Sequence, residues 1–145
     1  VDPEFRAHLK ATVGARSCLV SNLLEHVADP EAMARAVVDV LPPDGLLIVS
    51  GPASFPHHPD PIDTLFRPTI SELHALFPGT DLVDSATIAA DRWRPWERGD
   101  VAAAARFAGR LLLPFYKPRR WRQQAAYVPY FFKGFTAFAV VLKKR

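Results

Sequence analysis

The sequence predicts an α/β fold, and three features carry that prediction. Two short apolar runs, Ser17–Ser21 ("SCLVS") and "LLIVSGP" from Leu46, each have the length of a buried strand. Between them lies a segment with apolar residues at helical spacing, which makes a strand–helix–strand unit. A further run, "FTAFAVVLKKR", closes the chain and is rich in aromatic and β-branched residues that suit a pleated sheet. At 145 residues the chain fits one domain, and a 49% hydrophobic share is enough apolar surface to exclude wholesale disorder. No apolar run reaches the ~18 residues that a bilayer-spanning helix needs.

Taken in order, Pro3–Val13 is predicted helical, with Asp2 as N-cap and Pro3 at the first helical position, where its missing N–H costs nothing. Ser17–Ser21 is the first strand. Asp29 then caps a helix that starts at Pro30, and Glu31 places an acid where the helix dipole favours it. Its apolar face is predicted to run through Met33, Val37, Val40 and Leu41; Pro42 and Pro43 stop it, and Asp44-Gly45 makes the turn. The strand from Leu46 follows, and a parallel pair with a helical crossover is expected to be right-handed and buried on both faces. Prolines crowd the loop Pro52–Pro68, before Thr69 and Glu72 form a capping box for "ISELHALF". Pro78-Gly79 ends that helix, "TDLVDSATIAA" reads as a strand, and Val101–Leu113 and Arg119–Ala126 read as helices.

Charge and cysteine content narrow the function classes. The single Cys18 rules out an internal disulfide framework and a cysteine-based structural zinc site, and its apolar setting predicts a buried, inert thiol. A cytoplasmic location is the default expectation. The net charge is only +3, yet no acid follows Asp100, while Arg106, Arg110, Lys117, Arg119, Arg120, Arg122, Lys133, Lys143, Lys144 and Arg145 all do. Such a one-signed segment suits anionic partners, whether lipid headgroups, phosphorylated substrates or nucleic acid; a solvated basic face is the plain alternative.

In open α/β sheets, ligands bind beyond the carboxyl ends of the strands. Those ends are marked here by Ser21-Asn22 and by Ser50-Gly51-Pro52, polar groups behind which apolar strands run. The plainer reading is that Ser21 and Asn22 satisfy backbone groups at a strand end.

The segment "SNLLEHVADPEAMARAVVDVLPPDGLLIVSGP" resembles the central part of class I S-adenosylmethionine-dependent methyltransferases. The matching features are Leu24-Glu25-His26, Asp29-Pro30, Leu41-Pro42 and Gly45 through Pro52, in that order and spacing; Asp44 stands where the family usually has a glycine. Asp tolerates left-handed backbone, so the turn is expected to survive. The resemblance implies a partial Rossmann-like methyltransferase sheet whose last strand lies antiparallel beside the strand from Leu46. It also implies a pocket for S-adenosylmethionine lined by Ser21, Asn22, Leu23 and His26.

The following loop, "FPHHPDPIDTLFRP", is similar to one that lies near the substrate in a subgroup of these enzymes. His57 or His58 is the implied general base, accepting a proton from a substrate hydroxyl or amine as the methyl transfers. Asp60, Asp63 and Arg67 are implied to position the loop or the acceptor, a small or lipid-linked molecule. Asp63 can orient a histidine or pair with Arg67 four residues on. No metal is expected, because adjacent histidines rarely present both rings to one ion and no distant third ligand stands out.

Residues 93–133 form an aromatic and basic insert, read as a lid that also closes the core; a membrane-interface anchor is an alternative, and nucleic acid is disfavoured for want of a module signature. The resemblance covers Ser17–Arg145, the C-terminal half of such a domain, and no G-x-G occurs anywhere in the chain. A single incomplete domain over 1–145 is therefore expected, binding S-adenosylmethionine weakly or not at all by itself. A non-catalytic binding or assembly module is the rival reading. The first strand should be left as a free edge, predicting a homodimer or exchanged assembly through Ser17–Ser21, or cover by residues 1–13.

Overall fold

The computed structural model describes residues 2–12, 14, 16–57, 62–90 and 101–145. Helix α1 covers Pro3–Thr12, strand β1 Ser17–Ser21, a 3₁₀ turn Leu24–His26, helix α2 Pro30–Val40 and strand β2 Leu46–Ser54. Helix α3 (Ile70–Leu76), strand β3 (Thr80–Ala90), helices α4 (Val101–Leu111) and α5 (Pro118–Tyr127), a short helix α6 (Tyr130–Lys133) and strand β4 (Phe135–Lys144) complete it.

The four strands make one mixed sheet in the order β1-β2-β4-β3. β1 runs parallel to β2, with Ser17 opposite Leu46 and Ser21 opposite Ser50. The last strand lies antiparallel between β2 and β3, as the resemblance implies, and pairs Val49 with Val140 and Ser85 with Val140. The α/β class and the partial Rossmann-like sheet are thus seen directly.

Local chemistry explains where the elements begin. Asp29 Oδ1 accepts from Ala32 N at 2.9 Å and caps α2, with Pro30 at its first position. The capping box forms as predicted: Thr69 N donates to Glu72 Oε2 at 2.8 Å, and Glu72 N donates to Thr69 Oγ1 at 3.3 Å. Asp44 adopts φ +62°, so an acid does hold the left-handed turn position. Gly45 cannot be replaced cheaply there, because a Cβ would lie 2.8 Å from the Pro42 carbonyl oxygen. Lys144 Nζ donates to the Leu41 carbonyl oxygen at 2.6 Å, a cation placed at the end of α2 where the dipole favours it.

One face of the sheet carries the core. Val20, Leu47, Val49, Phe138, Val140 and Leu142 pack with Leu24, Ala34, Leu41, Leu73 and Phe77. In α2 the fully buried positions are Ala34 and Ala36, whereas Met33 and Val37 pack at the margin. Small side chains let the helix axis approach the sheet, which spacing of large apolar residues alone did not anticipate.

Burial of the parallel pair on both faces is not what is found. Leu19 is 66% exposed, and its register partner Ile48 is 39% exposed. The reason is placement: α2 and α3 contact each other and cover one face, while α5 and α6 gather around Phe55 and Phe135 near the carboxyl end of β2, with α4 packed on α5. Phe55 stands 4.8 Å from Phe135 and 6.4 Å from Tyr127 between ring centroids, and Tyr130 stacks on Phe135 at 5.1 Å. Helix α6 was not expected from the aromatic run "YFFK". Its bounds are set by Pro129 before it and by Gly134, at φ +69°, after it.

Candidate functional site

The site is built at the carboxyl end of the parallel pair. Ser50 Oγ donates to Ser21 Oγ at 2.9 Å, joining the two strands through their hydroxyls. Asn22 turns the chain out of β1 with φ +47°, a conformation that Asn adopts more readily than most residues. Its N–H still donates to the Ser50 carbonyl oxygen at 2.9 Å, and its Nδ2 reaches Ser21 Oγ at 3.4 Å. Ser21, Asn22 and Leu23 are all exposed, so the strand end presents a hydroxyl, an amide and an apolar side chain on an open shelf.

Above that shelf β2 continues past the end of β1. Gly51 is essential to the close packing there: a Cβ would lie 2.9 Å from Phe138 Cζ. Phe138 in turn is buried in the core, so the glycine lets the sheet and its core meet without a gap.

The loop after β2 returns over the 3₁₀ turn and is clamped to it. Thr64 N and Thr64 Oγ1 both donate to the Glu25 carbonyl oxygen, at 2.9 and 3.1 Å. His26 Nδ1 engages the Ile62 carbonyl oxygen. His26 Nε2 lies 4.0 Å from Glu25 Oε1, and the Glu25 side chain is buried. The Leu24-Glu25-His26 turn therefore serves as the anchor of this loop, with one ring nitrogen of His26 directed to it.

Asp63 and Arg67 meet in a two-pronged ion pair. Arg67 Nη1 and Nη2 donate to Asp63 Oδ1 and Oδ2 at 3.1 and 2.7 Å, and Leu65 N donates to Oδ1 at 2.8 Å. The Asp63 side chain is fully buried and that of Arg67 is 12% exposed. Pairing with Arg67, one of the two roles open to Asp63, is present in this geometry. The pair fixes Leu65 at φ +60°, a strained value for a non-glycine residue. A groove of 530 Å³ beside this loop is lined by Val27, Ala28, Thr64, Phe66, Arg67 and Leu76.

His57 is exposed just beyond β2. His58 and Asp60 lie outside the described residues, as do Trp93 and Trp96 of the insert. Among the described residues no group of three or more His, Cys, Asp or Glu is placed to hold a metal ion. A cleft of 620 Å³ lies at the opposite, amino end of β1, lined by Leu9, Arg16, Cys18, Asp39 and Leu41 among others. Despite its size it sits at the end of the sheet where α/β folds do not place ligands. Burial pushes the Cys18 thiol above its usual range, which disfavours the reactive thiolate. No described helix is long and apolar enough to cross a membrane.

The clamp was the part least visible in the sequence. The i,i+4 spacing of Asp63 and Arg67 signalled the ion pair, but the docking of Thr64 on the Glu25 carbonyl uses backbone atoms that leave no mark on residue choice.

No family model and no curated protein matches the chain. Its fold does match solved structures. The [4+2]-cyclase SpnF superposes with a TM-score of 0.53 at 18% identity, over 90% of this chain and 50% of that one. Coclaurine N-methyltransferase, bound to N-methylheliamine and SAH, gives 0.51 at 19% identity, over 89% of this chain and 48% of that one. A putative sarcosine dimethylglycine methyltransferase from Galdieria sulphuraria gives 0.50 at 14% identity, over 89% and 52%. The class defined by sheet order and neighbours is therefore a partial Rossmann-like methyltransferase fold. The chain spans about half the length of each of these three structures.

Proposed function

We propose that this chain forms part of an S-adenosylmethionine-dependent methyltransferase domain, acting on a hydroxyl or amine of a small or lipid-linked acceptor. The observation that carries the reading is the shelf of Ser21, Asn22 and Leu23 at the carboxyl end of β1, in a sheet of methyltransferase order. Its residues suit one edge of such a cofactor. Ser21 and Asn22 offer a hydroxyl and an amide to polar atoms, and Leu23 offers an apolar ledge. When bound, the cofactor supplies an electrophilic methyl group.

The chain's own residues contribute position and proton handling. The Asp63–Arg67 pair and the Thr64–Glu25 bonds hold the loop after β2 beside the shelf, so that His57 or His58 accepts the acceptor's proton. Asp60, Asp63 and Arg67 then act by shaping that loop, and the aromatic cluster of Phe55, Tyr127, Tyr130 and Phe135 is the base of a lid over it. Among the described residues β1 hydrogen-bonds only to β2 within the sheet, and its other edge is proposed to pair with a strand of a second copy or of an exchanged assembly.

Because the shelf meets only one edge of the cofactor, affinity of this chain alone is expected to be on the order of millimolar or weaker. Amide chemical-shift mapping with S-adenosylhomocysteine tests the reading. Shifts confined to 21–26 and 51–57 are expected; no shifts, or shifts centred on the cleft at the other end of β1, would favour a non-catalytic module.

A further inference from the structure

The hairpin of α4 and α5 carries an unusual surface. Its connection exposes Leu112 at 81%, Leu113 at 61%, Phe115 at 95% and Tyr116 at 75%. These apolar side chains are held out by an ordered turn. Tyr116 N donates to the Leu113 carbonyl oxygen at 3.3 Å around Pro114, and Leu112 N donates to Ala108 O at 3.3 Å. Trp121 Nε1 donates to the Leu111 carbonyl oxygen at 2.9 Å and so ties the start of α5 to the end of α4. The exposure is thus built into a closed hairpin and does not come from frayed chain.

Cations ring this apolar tip. Arg106 and Arg110 on α4, and Lys117, Arg119 and Arg120 at the start of α5, are all exposed. From Val101 to Arg145 the sequence contains no acid, so the hairpin itself carries charge of one sign. Between the two helices a cavity of 240 Å³ is lined by Arg106, Arg110, Lys117 and Arg120, with Tyr116 and Trp121. Lys117 Nζ sits 5.1 Å from the Tyr116 ring centroid, next to the apolar tip.

We propose that the α4–α5 hairpin docks on an anionic lipid bilayer, with Leu112, Phe115 and Tyr116 entering the interface and the surrounding Arg and Lys side chains meeting headgroup phosphates. The occupant must accept apolar insertion at the centre and offer negative charge around it, and an anionic bilayer surface does both. Nucleic acid offers the charge and could stack on Phe115 and Tyr116, but it gives the exposed aliphatic side chains of Leu112 and Leu113 nothing to enter, whereas a bilayer takes all four. Arg106, Arg110, Lys117 and Arg120 all line the cavity between the helices, which brings basic residues to one place beside the apolar tip. The inference stands apart from methyl transfer, since it uses no residue of the strand-end shelf.

Vesicle co-sedimentation of the 145-residue chain tests it. Wild-type protein is expected to pellet with phosphatidylcholine vesicles containing phosphatidylserine, to remain in solution with pure phosphatidylcholine, and to be released by salt. The double substitution Leu112→Ser/Phe115→Ser should weaken partitioning by at least about tenfold, since it removes two apolar side chains that the bilayer would bury. Arg119→Gln/Arg120→Gln should weaken it by roughly fivefold per charge. Both pairs are exposed, and circular dichroism checks that each variant keeps the fold. Sedimentation that does not respond to phosphatidylserine would overturn the proposal, as would a Leu112→Ser/Phe115→Ser variant that pellets like the wild type. Retention of an RNA oligonucleotide by that same variant, with no vesicle binding by the wild type, would reassign the cationic face to nucleic acid.

Discussion

Replacing Asp63 by Ala probes the clamp that holds the loop after β2. The Asp63 carboxylate is wholly buried against Arg67, whose side chain is 12% exposed, and it also accepts the Leu65 N–H. Removing one partner leaves a guanidinium short of solvent and of its counter-charge, which typically costs about 3–5 kcal/mol. Loss of the bond that fixes Leu65 at φ +60° releases strain and offsets about 1 kcal/mol of that. A net loss of about 3 kcal/mol follows, or roughly 6–12 °C in Tm for a chain of this size. Arg67 Nε is already buried without a partner, so the pair is imperfectly solvated by its surroundings. The double substitution Asp63→Ala/Arg67→Met should therefore cost less than Asp63→Ala alone, about 1 kcal/mol or less. Urea unfolding followed by circular dichroism measures both variants. If the loop undocks before the domain unfolds, the loss appears as faster amide exchange at Thr64, whose N–H donates to Glu25. An Asp63→Ala variant with unchanged stability and unchanged Thr64 exchange would refute the clamp, and so would a double variant that is less stable than the single one.

Three further outcomes follow from other contacts. Gly51→Ala sets a methyl 2.9 Å from Phe138 Cζ in the core and should cost about 1–3 kcal/mol in thermal unfolding, with Phe138→Leu partly restoring stability. Thr69→Ala removes the oxygen that accepts Glu72 N and should cost about 1 kcal/mol, measured by urea titration. Glu72, held below its usual carboxylate range first by the Thr69 N–H and then by the Thr69 hydroxyl, should titrate closer to normal in that variant. Asp39 is held low chiefly by its hydrogen bond from Lys10, which links α1 to α2. A depressed folded pKa means this tie is present above the unfolded value near ~3.9 and is lost as pH falls through the folded one. Amide protection in α1, relative to the intrinsic exchange rate at each pH, should accordingly fall below about pH 4, and Asp39→Asn should remove that acid dependence.

Much of this architecture could be read from residue order because its signals are local. Asp29-Pro30, the Thr69–Glu72 box and the Asp44-Gly45 turn each act within a few residues, and each is found where it was expected. The apolar runs located β1, β2 and β4 for the same reason, since a buried strand needs only a few consecutive apolar residues. What could not be read depends on distant partners. Ile48 is as apolar as its neighbours Leu47 and Val49, and nothing in the run says that its side chain is left exposed among the described residues. Periodicity reports that a residue can be buried, while the cover itself comes from elsewhere in the chain or from another chain. The loop clamp was hidden likewise, because the Glu25 carbonyl that receives Thr64 belongs to no particular residue type.

The fold by itself does not choose a reaction, for one structural neighbour is named a [4+2]-cyclase and others are named methyltransferases. The choice must come from side chains that remain available at the strand ends, and the geometry divides these into two sets. Asp63 and Arg67 are bound to each other, His26 gives a ring nitrogen to Ile62, and Glu25 is buried beneath the loop. Their substitution should first disturb the position of the loop. Ser21, Asn22, Leu23 and His57 remain exposed around the open end of the parallel pair. A chemical role falls more naturally to this second set, since a group must reach its ligand to act on it. The polar residues that interrupt the apolar segment after β1 thus answer two different demands: Ser21 and Asn22 face outward at the mouth, while Glu25 and His26 hold the wall behind it.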